Sequence, residues 1–198
     1  MNGLITPIIK GHITIKDPTT GEIIVDKDNA IHYENISEAI ANSLTNKNIG
    51  YIEQMVFGNG ATAVDTTGVV TYLPTNTTGI NAQLYNQTYQ KIVDDTNASN
   101  LDSTRNYIRV RHTPGTIYSD IFVTCLLDYT EPSGQAAFDN AANLQGTYVF
   151  DELGLLSSDG KLLTHVIFHP VQKALNRLIQ IDYTLRIQSL TNLSNNLW

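Results

Sequence analysis

The alternation of apolar and polar residues is clearest near the end of the chain. Over residues 179–188 one face carries Ile179, Ile181, Tyr183, Leu185 and Ile187, and the other face is polar. A period of two over this length predicts a β-strand with one buried face. Before it, apolar runs at 153–156 and 162–168 flank Ser157-Ser158-Asp159-Gly160, a turn sequence in which Gly160 supplies a positive φ. We predict three strands here, whose apolar face needs the rest of the chain to complete a core.

The start of the chain has the pattern of a hairpin followed by a helix. Residues 8–26 read as two strands joined by the turn Asp17-Pro18-Thr19-Thr20-Gly21. A helix is predicted at about 36–46, because its apolar residues fall on an i, i+3, i+4 stripe. We expect Asn35 to cap this helix, with Glu38 at the capping-box distance, and the Asn- and Gly-containing segment 46–50 to end it.

The middle of the chain alternates short strands with polar connections. Strands are predicted at 51–57, 85–93, 107–112 and 117–129. Residues 61–82 are rich in Thr, Asn and Gly and predict an extended loop or arm with one short strand around 69–73. The Ala-rich residues 135–144 predict a short helix or a bent crossover.

These elements indicate an α+β fold that is mainly antiparallel β, sandwich-like, with one clear helix. We interpret residues 1–198 as a single structural domain. Its parts are a hairpin-helix-strand unit at 1–60, the arm at 61–82 and a β-rich core at 83–198. We expect the arm and the N-terminal segment to make intermolecular contacts, since a long polar loop without a core of its own is ordered by its neighbours.

Composition narrows the classes of partner. The chain has 198 residues, a formal net charge of -7 and a sequence pI near 5.0, which argues against nucleic acid or an anionic membrane surface. No window approaches the ~20 apolar residues of a membrane span, so we expect a soluble protein made in the cytosol. The one cysteine, Cys125, alternates with apolar neighbours and predicts a buried core thiol.

Two short motifs resemble ligand-binding loops but are incomplete. Gly58-Asn59-Gly60 follows a strand, yet neither a third spaced glycine nor a Gly-Lys-Ser/Thr follows it, so a phosphate loop is not indicated. Asp95, Asn97 and Ser99 match the first oxygen positions of a calcium loop that lacks its glycine and its closing glutamate. We interpret the second motif as a solvated turn.

The remaining candidates for chemistry are scattered. His165 and His169 are four residues apart without an apparent third zinc ligand. Asp151 and Glu152 are adjacent, so on a strand they would point to opposite faces and would not form an acid/base pair. Neither His112 nor Cys125 can be assembled into a catalytic triad. We therefore expect no catalytic, cofactor-binding or metal-binding residues, no cofactor and no enzymatic activity.

Two other groups of side chains are candidates for contacts at the protein surface. Arg105, Arg109 and Arg111 form the nearest approach to a basic cluster, and we interpret them as partners for the acidic surplus. The tyrosines that could form a stacking platform for a sugar are Tyr72, Tyr85, Tyr89 and Tyr107.

Three segments carry a family resemblance: Gly58-Asn59-Gly60, residues 69–74 (VVTYLP) and residues 148–188. Over most of its length the chain resembles virion structural proteins of large contractile-tailed bacteriophages, cyanophages in particular. Its last third is also similar to domains of tail-fibre and baseplate-attachment proteins. The resemblance implies a non-enzymatic structural subunit of the virion, assembled in the host cytoplasm.

On this interpretation the subunit belongs to the tail, the baseplate or the fibre-attachment region. Its partners would be further copies of itself and other virion proteins, without nucleic acid or membrane. A neck or capsid-decoration protein of the same kind of particle is the alternative placement. A β-rich carbohydrate-binding module is the alternative from another functional class.

Overall fold

The computed structural model describes residues 8–132, 149–174 and 176–188. These residues form eleven strands and one helix, α1 (Tyr33–Leu44). The strands are β1 (Ile8–Lys16), β2 (Ile23–Ile31), β3 (Ile52–Gly58), β4 (Thr62–Val64), β5 (Val70–Tyr72), β6 (Gln87–Ile92), β7 (Tyr107–His112), β8 (Tyr118–Leu127), β9 (Val149–Ser157), β10 (Leu162–Gln172) and β11 (Ile179–Gln188). The helix or crossover predicted at 135–144 lies outside the described residues.

Nine strands form one antiparallel sheet in the order β6-β3-β9-β10-β2-β1-β11-β8-β7. Strand β2 joins its two halves, because residues up to Asn29 pair with β1 whereas Ala30 and Ile31 pair with β10. We call the strands β2-β1-β11-β8-β7 the β11 half and the strands β6-β3-β9-β10 the β9 half. The other two strands, β4 and β5, form a separate hairpin.

The sheet curls so that both halves enclose one core. Val123 and Tyr183 from the β11 half lie in the same buried cluster as Phe57 and Leu155 from the β9 half. Lys91 of β6 donates a hydrogen bond of 2.7 Å to the carbonyl of Leu126 in β8, which links strands from opposite ends of the sheet. The predicted α+β, mainly antiparallel β fold is confirmed, and the sandwich-like arrangement takes the form of a single curled sheet.

The strand with the clearest alternation lies inside the sheet, as predicted. Strand β11 pairs with β1 on one side and β8 on the other. Its apolar residues from Ile179 to Leu185 are at most 2% exposed, whereas Ile187 is 38% exposed. The predicted three-stranded unit is wrong in one respect: β9 and β10 form a hairpin in one half of the sheet, and β11 lies in the other.

The helix begins three residues earlier than predicted and has a different cap. His32 precedes it, and the His32 ring accepts a hydrogen bond from the backbone N–H of Asn35 at 3.2 Å. Asn35 is itself helical and buried, and its side chain donates to the carbonyl of Leu162 at 2.9 Å. The expected Asn35 cap is therefore wrong. The chain leaves the helix through residues with positive φ, at Asn46, Asn48 and Gly50.

The arm covers the outer face of the β9 half. It contains the β4–β5 hairpin, whose second strand is the short one predicted around 69–73. Ala82 and Leu84 of the arm and its flank pack with Val56, Leu156 and Leu162 in a second apolar cluster. Strand β9 is consequently buried along its whole length, with the core on one face and the arm on the other.

Candidate functional site

The most concentrated group of buried polar side chains lies where the arm meets strand β9. Asp151 and Glu152 are 2% and 0% exposed, and both accept hydrogen bonds from the loop that follows β3. The expectation that they point to opposite faces is therefore wrong. The pairing of β9 with β10 shifts register between Ile167 and Val171, and such irregularities re-aim neighbouring side chains.

Glu152 is the centre of this group. Its Oε1 accepts hydrogen bonds from the backbone N–H groups of Gly60 at 3.2 Å and Asn86 at 2.9 Å. Its Oε2 accepts from the backbone N–H of Tyr85 at 3.0 Å and pairs with Nε2 of His165 at 3.0 Å. Each carboxylate oxygen thus serves two donors, and the four donors come from both ends of the arm and from β10.

His165 extends the contact to the middle of the arm. It is 0% exposed, and its Nδ1 accepts a hydrogen bond of 2.8 Å from the backbone N–H of Asn76. Because Nδ1 accepts, Nε2 carries the proton that is donated to Glu152. The ring of Tyr85 packs against the imidazole with centroids 5.8 Å apart. Both ring nitrogens are therefore used in holding the arm.

Asp151 fastens the start of the hairpin. Its Oδ1 accepts from the backbone N–H of Ala61 at 3.1 Å, and its Oδ2 accepts from the backbone N–H of Thr62 at 2.8 Å. The Thr62 hydroxyl donates to the same Oδ2. Two consecutive carboxylates on β9 thereby bind three consecutive backbone N–H groups, those of residues 60–62.

The pKa values of the two carboxylates shift in opposite directions. Burial opposes the ionisation of Glu152, but hydrogen bonds from His165 and the backbone outweigh it and hold the pKa of Glu152 below its usual range. Burial raises the pKa of Asp151 despite the hydrogen bonds from Thr62 and Ala61, and the nearby Glu152 charge acts in the same direction. Glu152 is therefore the more firmly ionised member of the pair.

This geometry explains the glycines that resemble a phosphate loop. A Cβ on Gly58 would lie 2.5 Å from the Glu152 Oε1 and 2.6 Å from the Asn86 carbonyl oxygen. A Cβ on Gly60 would lie 2.9 Å from the backbone nitrogen of Asn86. The backbone must approach this closely to donate to the buried carboxylate, so the glycines serve the protein's own Glu152.

The candidate metal and nucleophile residues have other partners. Cys125 is fully buried in the core, as predicted, and burial raises the pKa of its thiol to about 12. His169 is exposed, and its Nδ1 lies 3.3 Å from the Tyr72 hydroxyl, whereas His165 is buried. Within the described residues, no three His, Cys, Asp or Glu side chains are grouped to hold a metal ion.

The incomplete calcium motif is used for internal contacts. Asp95 forms an ion pair of 2.7 Å with Arg109 and accepts from the backbone N–H of Ile108 at 3.1 Å. The Asn97 side chain donates to Glu53 at 3.0 Å, and its Oδ1 accepts from the backbone N–H of Ser99 at 2.9 Å. These contacts stabilise a turn, as the sequence indicated.

The arginines and tyrosines that the sequence suggests as surface groups are dispersed. The three arginines each pair with acidic residues: Arg105 with Asp102 and Asp128, Arg109 with Asp95, and Arg111 with Asp120. The tyrosines do not form one platform. Tyr72 and Tyr85 are exposed on the arm and its flank, Tyr89 packs against Phe57, and Tyr107 lies beneath Arg109.

An apolar groove is a surface feature that the sequence did not predict. It has a volume of about 680 Å³ and lies between α1 and strands β7, β8 and β11. Leu44, Val110 and Ile187 line it and are 82%, 70% and 38% exposed. Tyr51 of the same groove is also exposed. Exposed apolar side chains gathered at one site are typical of protein interaction surfaces.

Comparison with known proteins gives no match: no protein family model, no curated protein and no solved structure is similar to this chain at a significant level. Among the residues that the structure describes, no helix has the length and apolar character needed to cross a membrane.

Proposed function

We propose that this protein is a non-enzymatic structural subunit of a tailed bacteriophage particle, and that it acts through contacts between subunits. The tail, the baseplate and the fibre-attachment region are the favoured positions, with the neck or capsid surface as the alternative. The resemblance of residues 148–188 to virion proteins supports the kind of particle. The apolar groove supports the mode of action, and it is the observation on which the proposal mainly rests.

The groove has the properties of a contact surface. Leu44 extends from the last turn of α1 and Val110 from the edge strand β7, so the two residues border it from opposite sides. Burying such side chains against a neighbour contributes roughly 1.5–3 kcal/mol each. The occupant we propose is a neighbouring subunit of the particle, because the same interface repeated around a symmetric ring multiplies this gain.

The buried carboxylates fit a structural role. All four donors on Glu152 and all three on Asp151 belong to this chain, and both ring nitrogens of His165 are occupied by it. The group therefore fixes the arm in place. The fixed arm presents exposed Val64, Val69, Tyr72 and Leu73, which are available for contacts with a neighbour.

The test replaces groove residues without touching the core. Leu44→Lys and Val110→Lys place a charge in the proposed contact, and Leu101→Lys is the control because Leu101 is 97% exposed and does not line the groove. Each variant is supplied in cells infected with phage lacking the wild-type gene. We expect the groove variants to melt normally but to be missing from purified particles, with Leu101→Lys incorporated fully.

Normal incorporation of both folded groove variants would contradict a contact through this groove.

A further inference from the structure

Two groups of unbalanced charge lie on the outer face of the β11 half. The strand register places Lys10, Arg186, Asp120 and Arg111 side by side across β1, β11, β8 and β7. We call these four residues the basic row, since they combine three cations with one carboxylate. In a chain with a formal net charge of -7, such a local excess of positive charge is unusual.

The two arginines of the basic row are held in fixed positions. Asp120 is 1% exposed, and it pairs with Arg111 at 2.8 Å and with Arg186 at 2.7 Å and 3.0 Å. The Arg186 guanidinium lies 4.0 Å from the ring centroid of Tyr118, and that of Arg111 lies 4.7 Å from Phe122. Both arginine side chains remain 41% to 63% exposed, so their other N–H groups face solvent.

Next to the Lys10 end of the row, strands β1 and β2 carry the reverse imbalance. Asp26 and Asp28 of β2 both contact the His12 ring, at 2.6 Å and 3.0 Å, and their side chains are 61% and 92% exposed. We call these three residues the acidic corner. Two carboxylates share one imidazole, so the corner stays negative even when His12 is protonated.

Both groups face the same direction. Lys10, His12 and Thr14 are alternate residues of β1, and Thr14 and His12 lie opposite Asp26 and Asp28 of β2. Alternate residues of a strand share a face, so the acidic corner and the basic row lie on one surface. The row begins beside the corner, at Lys10 on β1, and ends at Arg111 on β7, four strand spacings or about 19 Å from β2.

We propose that the basic row of one copy binds the acidic corner of a second copy of this chain. Because the row and the corner lie on one face, two copies that meet face to face make both contacts at once and form a closed pair related by a two-fold axis. This inference rests on the proposed function as a repeated structural subunit, and it supplies the charged contact that orients neighbouring copies. Electrostatic complementarity fixes register more than it adds affinity.

Two folded variants and their mixture test this contact. Lys10→Glu with Arg111→Gln reverses the net charge of the row and leaves Arg186 to neutralise the buried Asp120. Asp26→Lys with Asp28→Lys reverses the corner. Lys47→Glu is the control, because Lys47 is exposed and lies outside both groups. Association of each purified protein is measured by sedimentation velocity at low and at high salt.

We expect wild type and Lys47→Glu to associate at low salt, and salt to weaken the association. Each double variant should associate about tenfold more weakly, as the loss of several exposed ion pairs implies. An equimolar mixture of the two double variants should form a 1:1 pair and nothing larger. In that mixture the intact row meets the intact corner. The substituted row is then negative and meets the reversed, positive corner, so both contacts of the pair are attractive.

Salt-insensitive association, unchanged association of the double variants, or a mixture that stays monomeric would each overturn the charged contact. None of these results would affect the groove test, which depends on incorporation of Leu44→Lys into particles. Binding of an added acidic peptide by the basic row, in place of self-association, would assign the row to another protein and would also overturn the proposal.

Discussion

The hydrogen bonds of Glu152 make a specific prediction for Glu152→Gln. Gln keeps the shape of the side chain but replaces one acceptor oxygen with an NH₂ donor. Each Glu152 oxygen serves two donors: Gly60 and Asn86 on Oε1, Tyr85 and His165 on Oε2. Either orientation of the amide therefore sets its NH₂ group against two donors.

The expected loss follows from the number of bonds removed. A hydrogen bond to a charged group contributes about 1.5–3 kcal/mol, so losing two of them costs about 3–6 kcal/mol. The loss cannot exceed the free energy of releasing the arm, because a released arm exposes its N–H groups to water. We therefore expect a lower free energy of unfolding together with faster amide exchange at Gly60, Tyr85 and Asn86.

Asp151→Asn is the matched control. Its carboxylate oxygens accept from Ala61 and from both the N–H and the hydroxyl of Thr62, and a hydroxyl can reorient to accept from an amide. Burial also raises the pKa of Asp151, so a neutral replacement costs less. Urea unfolding and hydrogen exchange should show the larger effect for Glu152→Gln. Equal effects, or wild-type protection at Tyr85 and Asn86 in Glu152→Gln, would refute the reasoning.

Three further predictions concern the core, the glycine loop and pH. Ile181→Asp buries an unpaired carboxylate at a position 1% exposed and should cost more than about 4 kcal/mol, whereas Ile187→Asp should cost little; equal melting temperatures would contradict this. Gly60→Ala forces a Cβ to 2.9 Å from the Asn86 nitrogen and should lower stability by about 1–3 kcal/mol in urea unfolding, and wild-type stability would contradict this. Folding lowers the pKa of Glu152. The ionised side chain therefore contributes its full stabilisation of the fold above pH 4.5, the ordinary pKa, and this stabilisation is lost as the pH falls through the pKa of the folded state. Acid titration of Glu152→Gln should consequently show a smaller loss of stability than wild type, and an unchanged loss would exclude Glu152 as its source.

Several elements could be predicted from local sequence alone. The alternation over 179–188 identifies β11 because its apolar residues face the core at every second position. The turn around Gly160 identifies the β9–β10 hairpin, and Gly160 has the expected positive φ of 79°. These features depend on residues that are close in sequence.

The misassigned features depend on distant partners. The helix cap required the His32 ring to accept from the backbone, while Asn35 was drawn into a contact with Leu162 from the β10 strand. The convergence of Asp151 and Glu152 depends on the irregular pairing of β9 with β10, which no local pattern reveals. One signal did exist: two acidic residues inside a strand that is otherwise apolar require buried partners, and a glycine-rich loop can supply them.

The groove and the charged surfaces were also beyond local patterns. Leu44, Val110 and Ile187 come from three separate elements, and only the curl of the sheet brings them together. The basic row likewise combines residues from four strands. Two of these strands, β1 and β11, pair with each other although they lie near opposite ends of the sequence. Sequence spacing contains no information about such pairings.

The most direct test of the structural role is the copy number of this protein in purified phage particles. Quantitative mass spectrometry of gradient-purified particles measures it relative to a tail protein of known stoichiometry. We predict a fixed, whole-number ratio that matches a ring or trimer and is unchanged by high-salt washing. A protein that is absent from the particles, or present in variable trace amounts, would contradict the account.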